Sequence, residues 1–299
     1  MSVLIKSLFS NSSKWIDRFF NSLDKLDYPR DKLRFAFLEG GSRDNTWDRL
    51  KHFGDTHQNV SLSNMDVSDV SKRFERLALL RNKLIYENLK DADYVFSVDS
   101  DIVYFPPETL KALINDNVDI VAPYVFIEGT SQFYDTLAFR CRGQNFSHKF
   151  PYRPILPGKK VGDMSKVVSG LTKRLRTMDP SARWSEEGRL TALKYLSRFS
   201  EVTYLSGLHE ALRGADKERW REEAVLKYAA NQSMFEVDSV GTCYLVKRRV
   251  YEGNVVYKGG DSEQVTFCNN ARESGFRVWV DPSIIVHHVN LESQGEKWH

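Results

Sequence analysis

The 299-residue chain has few cysteines and no long apolar run. Cys141, Cys243 and Cys268 lie far apart and show neither zinc-binding nor redox spacing, so they are predicted to be ordinary reduced thiols. No stretch approaches the roughly 18 consecutive apolar residues of a membrane helix. The first residues also lack the pattern of a signal peptide. From these absences we expect a cytoplasmic protein, in the host cytoplasm if the source is a virus.

The net charge of +3 hides a strong asymmetry. Residues 140–227 carry nineteen Lys or Arg and ten Asp or Glu, a balance of +9, so the rest of the chain must carry about −6. A basic middle on a slightly acidic body fits contact with an anionic partner, and it fits equally a set of solvated basic helices. Both interpretations stay open at the level of the sequence.

Strands and helices alternate through the first hundred residues. Apolar runs at Val3–Phe9 and Leu33–Leu38, and the run that ends at Val98, predict strands, and helical spacing predicts helices between them. This alternation predicts an α/β fold with a mostly parallel central sheet flanked by helices. The pattern breaks after Val125 and resumes near Val237. We therefore expect three segments: residues 1–125, a basic helical and loop insertion at 126–235, and the rest of the core at 236–299.

Two carboxylates stand where an apolar strand ends. Asp99 and Asp101 follow the run Tyr94–Val98, and the carboxyl ends of parallel strands face the crevice where open α/β sheets bind ligands. Because Asp99 and Asp101 are two positions apart, their side chains are predicted to point the same way in extended backbone. Because facing carboxylates repel each other, a hard divalent cation is their natural partner, and that cation can hold a diphosphate. The pattern predicts a site for a metal-bound nucleotide.

Five motifs, in the expected order over residues 3–125 and 237–290, resemble those of GT-A fold (Rossmann-like) nucleotide-sugar glycosyltransferases. They are the second-strand motif Glu39-Gly40-Gly41-Ser42-Arg43-Asp44-Asn45-Thr46, the helix motif Leu80-Arg81-Asn82, the D-x-D motif Asp99-Ser100-Asp101, the late helix over residues 262–276, and the closing strand Val280–His288 with its terminal histidine. Phe133-Tyr134-Asp135 and Gly241-Thr242 resemble, more weakly, the branch that includes the fungal Golgi mannosyltransferases of the Anp type.

The resemblance implies a metal-dependent site for a UDP- or GDP-sugar in the first segment. Asp101 is expected to bind the metal directly, Asp99 to contact the ribose or metal-bound water, and His288 to be the third ligand. Because imidazole suits Mn²⁺ better than Mg²⁺, Mn²⁺ is the expected ion and Mg²⁺ the alternative.

The ends of other strands are expected to border the nucleotide. By resemblance, Glu39 lies near the nucleobase or ribose, and Gly40 and Gly41 let the backbone turn sharply. Asp44 is expected either to contact the base or to cap the next helix, and Arg81 either to reach the nucleotide or to be a surface charge. The expected nucleotide-binding residues are Ser7, Phe9, Asn11, Glu39, Gly40, Asp44, Arg81 and Ser100.

The candidate catalytic bases lie near the late helix of the third segment. Enzymes of this fold that invert the anomeric centre place an acidic pair there, but this chain has Glu263-Gln264, with Asp261 nearby. Since a single acid can serve as a general base, Glu263 and Asp261 are both candidates. Glu263 is alternatively a first-turn acid favoured by the helix dipole. Retaining enzymes need no such base, so the stereochemical outcome stays open.

The acceptor is predicted from the insertion, where basic residues are interleaved with Phe139, Phe146, Phe150 and Tyr152. That combination fits phosphate contact with base stacking. The resulting hypothesis is a hexosyltransferase acting on a hydroxylated base in DNA, with a glycan, lipid or protein as alternative acceptors. A nucleotidyltransferase is disfavoured because residues 10–14 lack a glycine-rich loop. An inactive, nucleic-acid-binding transferase core is disfavoured by the intact Asp99, Asp101 and His288.

Overall fold

A computed structural model describes residues 1–130, 132–141, 143–146 and 234–291. All of them fall in one of two compact units of the chain, the unit formed by Met1–Pro151 and Ala229–His299. The strands are β1 (Val3–Phe9), β2 (Leu33–Glu39), β3 (Val60–Asn64), β4 (Tyr94–Val98), β5 (Ile102–Tyr104), β6 (Ile120–Ile127), β7 (Arg140–Cys141), β8 (Gln144–Asn145), β9 (Phe235–Val237), β10 (Cys243–Lys247) and β11 (Val278–His288). The helices are α1 (Ile16–Asp24), α2 (Thr46–Thr56), α3 (Arg73–Asn88), α4 (Thr109–Asn115), α5 (Arg248–Glu252) and α6 (Glu263–Glu273).

The main sheet has the strand order β3-β2-β1-β4-β10-β6-β11-β5, with β9 paired to β11. Strands β3, β2, β1 and β4 are parallel, and β6 and β11 are parallel to each other. Because β10 is antiparallel to both β4 and β6, those two groups of strands run in the same direction. The predicted α/β fold is confirmed, with antiparallel β10 in the middle of the sheet. The carboxyl ends of β1, β2, β4 and β11 therefore meet at one edge.

Strand β11, which contains the predicted closing strand, is continuous and has a bulge at Pro282. The register to β6 shifts there, from Asp281 opposite Pro123 to Ile285 opposite Tyr124. The Asp281 carboxylate accepts hydrogen bonds from the N–H and hydroxyl of Ser283, at 2.9 and 2.6 Å, which holds the extra residues in the bulge. The strand thereby continues as far as His288.

The first residues after β6 belong to the core. The rings of Phe133, Phe139 and Phe146 are buried and contact one another, with centroids 5.0 to 5.6 Å apart. Phe139 and Phe146, read in the sequence as part of a basic and aromatic surface, are core residues because they pack beneath the sheet. Residues 147–233, which carry most of the basic insertion, lie outside the described residues. Across the described ranges, no helix is both long and apolar enough to cross a membrane.

Candidate active site

Three loops at the shared edge of the sheet are tied together by side chains. After β1, the N–H of Asn11 donates to Ser42 Oγ at 2.9 Å, and Asn11 Oδ1 accepts from the N–H of Arg43 at 2.9 Å. Ser12 Oγ lies 3.1 Å from Ser100 Oγ, in the turn after β4. These contacts join the loops that follow β1, β2 and β4 into one structure, which we call the strand-end crevice. Asn11 and Ser100, both predicted to border the nucleotide, lie in it.

The carboxylates of Glu39 and Asp44 accept hydrogen bonds within these loops. Glu39 accepts a hydrogen bond from the N–H of Ser42. Asp44 accepts from the N–H and hydroxyl of Thr46 at 3.1 and 2.6 Å and from the N–H of Ser13 at 3.1 Å. Although burial opposes it, these bonds lower the pKa of Asp44 to about 2. These bonds lie just before α2, whose N-cap is Asn45, and a contact of Asp44 with the base stays a prediction.

Of the two glycines predicted to allow the sharp turn after β2, Gly41 is the one that provides it. Gly41 has the left-handed backbone, with φ of 84°, whereas Gly40 does not. The N–H of Gly40 donates instead to the carbonyl of Phe9 at 2.9 Å. Gly40 therefore links the ends of β1 and β2, and Gly41 supplies the conformational freedom.

The side chains of Ser7 and Phe9 do not reach the crevice. Ser7 is 1% exposed and Phe9 is 2% exposed. The Phe9 ring packs against Phe19 and Phe37, with centroid distances of 5.5 and 5.3 Å. The prediction that these two side chains border the nucleotide is corrected on this point, because they belong to the core beneath it.

Arg81 is buried and joins two carboxylates. Its Nε donates to Glu263 at 2.9 Å and its Nη2 donates to Asp99 at 2.7 Å, and its side chain is only 4% exposed. We call these three residues the Arg81 cluster. Lys6, also buried, lies over the ring of Tyr257 beside this cluster, 4.9 Å from the ring centroid. Arg81 is therefore not a surface charge; it holds the end of β4 against the start of α6.

The two candidate catalytic bases occupy opposite environments. The Glu263 side chain is 3% exposed, and its carboxylate is paired with Arg81. Asp261 is exposed, and no described residue makes an ion pair or hydrogen bond with its side chain. The geometry thus gives Glu263 a positioning role in the Arg81 cluster. Catalysis by either residue stays a prediction.

Asp99 and Asp101 contact different partners. The backbone is not extended here, because the N–H of Ile102 donates to the carbonyl of Asp99 and closes a turn. Asp99 faces Arg81, whereas Asp101 Oδ2 lies 2.9 Å from His288 Nε2. The prediction of two parallel carboxylates in extended backbone is wrong, since it overlooked this turn. The contact of Asp101 with His288, which joins the end of β4 to the end of β11, places two of the predicted metal ligands together.

The Asp101–His288 pair has the chemistry of a partial metal site. His288 Nδ1 lies 2.7 Å from the carbonyl of Val289, which favours a proton on Nδ1, and Nε2 faces Asp101, whose charge and hydrogen bond raise the pKa of the imidazole although burial opposes it. Asp101 Oδ1 is buried and accepts no hydrogen bond from the described residues. An imidazole nitrogen beside carboxylate oxygens suits Mn²⁺. Among the residues that the structure describes, no group of three or more His, Cys, Asp or Glu is arranged to hold a metal.

A cavity of about 440 Å³ opens beside the Arg81 cluster. It lies between the start of α3, the end of β4, the loop after β6 and the start of α6. Its polar lining includes Arg81, Asp99, Asp135, Glu263 and Gln264. Its apolar lining comprises Phe74, Leu77, Ile127, Leu137 and Ala138. The cavity thus adjoins the end of β4, where the predicted metal-binding motif lies, and one of its walls is apolar.

Asp135 lines this cavity and was not among the predicted site residues. It is 7% exposed, and it accepts hydrogen bonds from the Thr242 hydroxyl and from the N–H of Ala138, the latter at 2.9 Å. Burial raises its pKa to about 6 even though both bonds lower it. The signal for Asp135 was present in the sequence, in the motif Phe133-Tyr134-Asp135, but that motif carried only a family resemblance.

The turn before β10 packs closely against Asp135. Thr242 has φ of 61°, which is rare for a β-branched residue and indicates backbone strain. A Cβ atom on Gly241 would lie only 2.4 to 2.5 Å from atoms of Gln264, Ala138 and Asp135. Only glycine therefore allows this close approach, and the Gly241-Thr242 motif packs against the cavity wall.

Known proteins share this fold. The structure of GalNAc-T7, solved with UDP, GalNAc and Mn²⁺, superposes with a TM-score of 0.50 over 97% of this chain and 43% of that chain, at 10% identity. The fold is that of the GT-A glycosyltransferases. The resemblance predicted from the five motifs is confirmed, including its weaker branch, because the sequence model of the Anp1 family matches residues 51–142.

Two groups of curated relatives match part of this GT-A chain. A glycosyltransferase 25 family member from Aedes aegypti is 25% identical over 178 residues, which is 54% of this chain and 29% of the relative. Procollagen-lysine,2-oxoglutarate 5-dioxygenase 1 from Bos taurus is 26% identical over 167 residues, which is 54% of this chain and 22% of the relative. The chain thus spans less than a third of the length of these relatives.

Proposed function

We propose that the chain is a glycosyltransferase that moves a hexose from a nucleotide-diphosphate sugar to a hydroxyl group of an acceptor. The observation that carries this proposal is the contact of Asp101 with His288 at the carboxyl edge of a GT-A sheet. The match to the Anp1 family and the similarity to glycosyltransferase 25 proteins support the same class. A UDP- or GDP-sugar as donor is supported by the UDP in the GalNAc-T7 structure.

Asp101 and His288 would hold a divalent cation, for which the Mn²⁺ in the GalNAc-T7 structure is a precedent. Such an ion supplies a Lewis acid that stabilises the negative charge developing on the diphosphate leaving group. The chain's own residues set this geometry in advance. The Val289 carbonyl orients the His288 ring, the Tyr134 ring stacks on it with 3.5 Å between centroids, and the N–H of Val289 donates to the Asp101 carbonyl at 2.8 Å.

The acceptor is a separate part of the proposal. A hydroxylated base in DNA was predicted from the basic insertion, most of which lies outside the described residues. A glycan, lipid or protein acceptor is equally compatible with the cavity. The cytoplasmic location likewise stays a prediction.

The Asp101→Ala variant tests the proposed metal-dependent donor site. In the wild type we expect UDP or GDP with Mn²⁺ to raise the melting temperature, because a ligand at about 100 times its Kd stabilises a fold by about 2.7 kcal/mol. The variant should lose this shift and the hydrolysis of nucleotide sugars, while its melting temperature without ligand stays close to that of the wild type. Asp116→Asn, a carboxyl change at the other edge of the sheet, is the control. Full hydrolysis by Asp101→Ala would overturn the metal assignment.

A further inference from the structure

Transfer of a sugar by a single inverting displacement needs a group that accepts the proton of the attacking hydroxyl, and the cavity offers three carboxylates. Asp99 and Glu263 are both paired with Arg81. Asp135 makes no ion pair with any described residue, and its two described hydrogen bonds come from uncharged donors. A carboxylate has about four lone-pair positions, so Asp135 keeps acceptor capacity for a further proton donor.

Asp135 is held rigidly in its position. The Thr242 hydroxyl donates to Oδ2, the N–H of Ala138 donates to Oδ1, and Gly241 packs so closely that no Cβ would fit. The strained backbone of Thr242 persists because the surrounding contacts over-determine it, and such strain is concentrated at functional sites. A carboxylate fixed in this way is pre-oriented for an incoming group.

The same contacts connect Asp135 to both ends of the proposed donor site. The carbonyl of Thr242 accepts a hydrogen bond from the N–H of Asp99 at 2.7 Å. Tyr134, the residue before Asp135, stacks on His288 with 3.5 Å between ring centroids and also lines the cavity. Asp135 is thus linked to the D-x-D turn through Thr242, and its chain neighbour Tyr134 contacts the closing histidine. A sugar whose diphosphate lies at Asp101 and His288 would extend towards this cavity.

We propose that Asp135 is the catalytic base that accepts the proton of the acceptor hydroxyl. This inference rests on the proposed function. The acceptor oxygen forms a bond to the anomeric carbon, and the bond from that carbon to the diphosphate oxygen breaks with its electron pair leaving on the diphosphate. The hydroxyl proton passes to an oxygen of Asp135. This single displacement inverts the anomeric centre, and it explains how the chain works without the second acid that is missing at Gln264.

The electrostatics of the cavity agree with this role. Burial raises the pKa of Asp135 to about 6, with the charge of Asp99 raising it further, while the Thr242 and Ala138 hydrogen bonds and His288 act in the opposite direction. The other charged groups that line the cavity are Arg73 and Arg81 on α3 and Glu263 on α6. A base whose pKa lies close to the working pH transfers protons efficiently and is still ionised above pH 7.

The test compares Asp135→Asn with a matched carboxyl variant in the full chain. Asp116 is also a carboxyl with no described ion-pair partner, and burial raises its pKa to about 7, but it follows α4 at the amino-terminal side of β6. The probes are UDP-glucose, UDP-galactose, UDP-N-acetylglucosamine and GDP-mannose with Mn²⁺. The measured quantities are nucleotide release with water as acceptor and the shift in melting temperature caused by UDP or GDP.

We expect Asp135→Asn to lower the turnover number by about 100-fold or more, in the range typical of general bases, and to leave the nucleotide-induced shift unchanged. Asp116→Asn should keep both. Turnover at the wild-type level in Asp135→Asn would overturn the assignment of Asp135 alone. A wild type that neither binds nor hydrolyses any of the probes would overturn the proposed function, and the inference with it.

Two variants of Thr242 keep the test decisive if Asp135→Asn does not fold. Thr242→Val preserves the shape and the β-branching but removes the hydroxyl that donates to Asp135, so turnover should fall, by less than the about 100-fold expected when the base itself is removed. Thr242→Ser keeps the donor and should restore most of that turnover. Equal turnover in the Val and Ser variants would contradict a role for this carboxylate.

Discussion

Glu263 and Asp135 line the same cavity and are almost equally buried, at 2% and 7% exposure, yet they have opposite surroundings. Glu263 is paired with the buried guanidinium of Arg81, whereas Asp135 receives hydrogen bonds only from a hydroxyl and a backbone N–H. The Glu263 carboxylate is committed to the guanidinium and holds structure in place. Burial raises the pKa of Asp135 to about 6, and its remaining lone-pair positions can accept a proton. The difference assigns support to the first and chemistry to the second.

The D-x-D turn repeats this division on a smaller scale. Asp99 belongs to the Arg81 cluster, and Asp101 contacts His288. One carboxylate therefore anchors the end of β4, and the other is presented to the proposed metal. The sequence motif alone does not distinguish the two, because both are aspartates next to the same strand.

The largest expected effect comes from removing Arg81, the cation of the Arg81 cluster. Arg81→Met leaves Asp99 and Glu263 buried without a counter-ion, and loss of one partner of a buried ion pair typically costs about 3–5 kcal/mol. We expect the free energy of unfolding, measured in urea, to fall by about that amount. Arg248→Met, which breaks the exposed ion pair with Glu252, should cost about 1 kcal/mol or less. Similar losses in the two variants would show that the Arg81 cluster is not a structural support.

An intermediate effect is expected when Glu263 itself is neutralised. In Glu263→Gln the amide oxygen can still accept from Arg81, so the free energy of unfolding should fall by only about 1–2 kcal/mol. Nucleotide release should fall much less than in Asp135→Asn, since Glu263 supports the site without accepting the proton. Parallel urea unfolding and nucleotide-release assays measure both quantities. If Glu263→Gln loses as much turnover as Asp135→Asn, the two carboxylates are not divided as described.

The smallest effect is expected at Asp116, which shows how much an unpaired carboxyl away from the site lowers the free energy of unfolding. Burial and the charge of Asp281 raise its pKa from the ordinary 3.8 to about 7. Between these two values the folded state keeps the proton and the unfolded state releases it, so this residue's contribution to stability falls as pH rises from about 4 to 7. Asp116→Asn should match the wild type at pH 4. At pH 8 it should be more stable by about 1 kcal/mol, less than the full linkage because the group is only half-buried. Urea unfolding at the two pH values measures this; equal stability at pH 8 would contradict the raised pKa.

The parts of the site that depend on local sequence pattern were predictable. Val95–Val98 is apolar on both faces because the strand is buried, and the D-x-D turn had to follow it at the edge of the sheet. The turn after β2 was also visible, through Gly41 and the polar residues around it. These features depend on neighbours in the sequence, and the structure confirms their place at the shared edge.

Other features depend on contacts between distant segments and were misread. Phe9 closes a strand that was expected to border the nucleotide, but its ring packs with Phe19 and Phe37. For Arg81 the sequence left open a nucleotide contact and a surface charge, and the fold excludes the surface charge by bringing Glu263 against it. No periodicity indicates that a side chain will find a partner nearly two hundred residues away.

The sequence by itself determined the class of this protein. Its alternating elements predicted an α/β fold, and the resemblance of its motifs to those of GT-A glycosyltransferases implied a donor site at the strand ends. Only the tertiary structure decided which partner each acid has. The roles of Asp99, Asp101, Asp135 and Glu263 follow from whether a cation, an imidazole or only neutral donors come within hydrogen-bonding distance in the buried site, where an ionised group depends strongly on its partner.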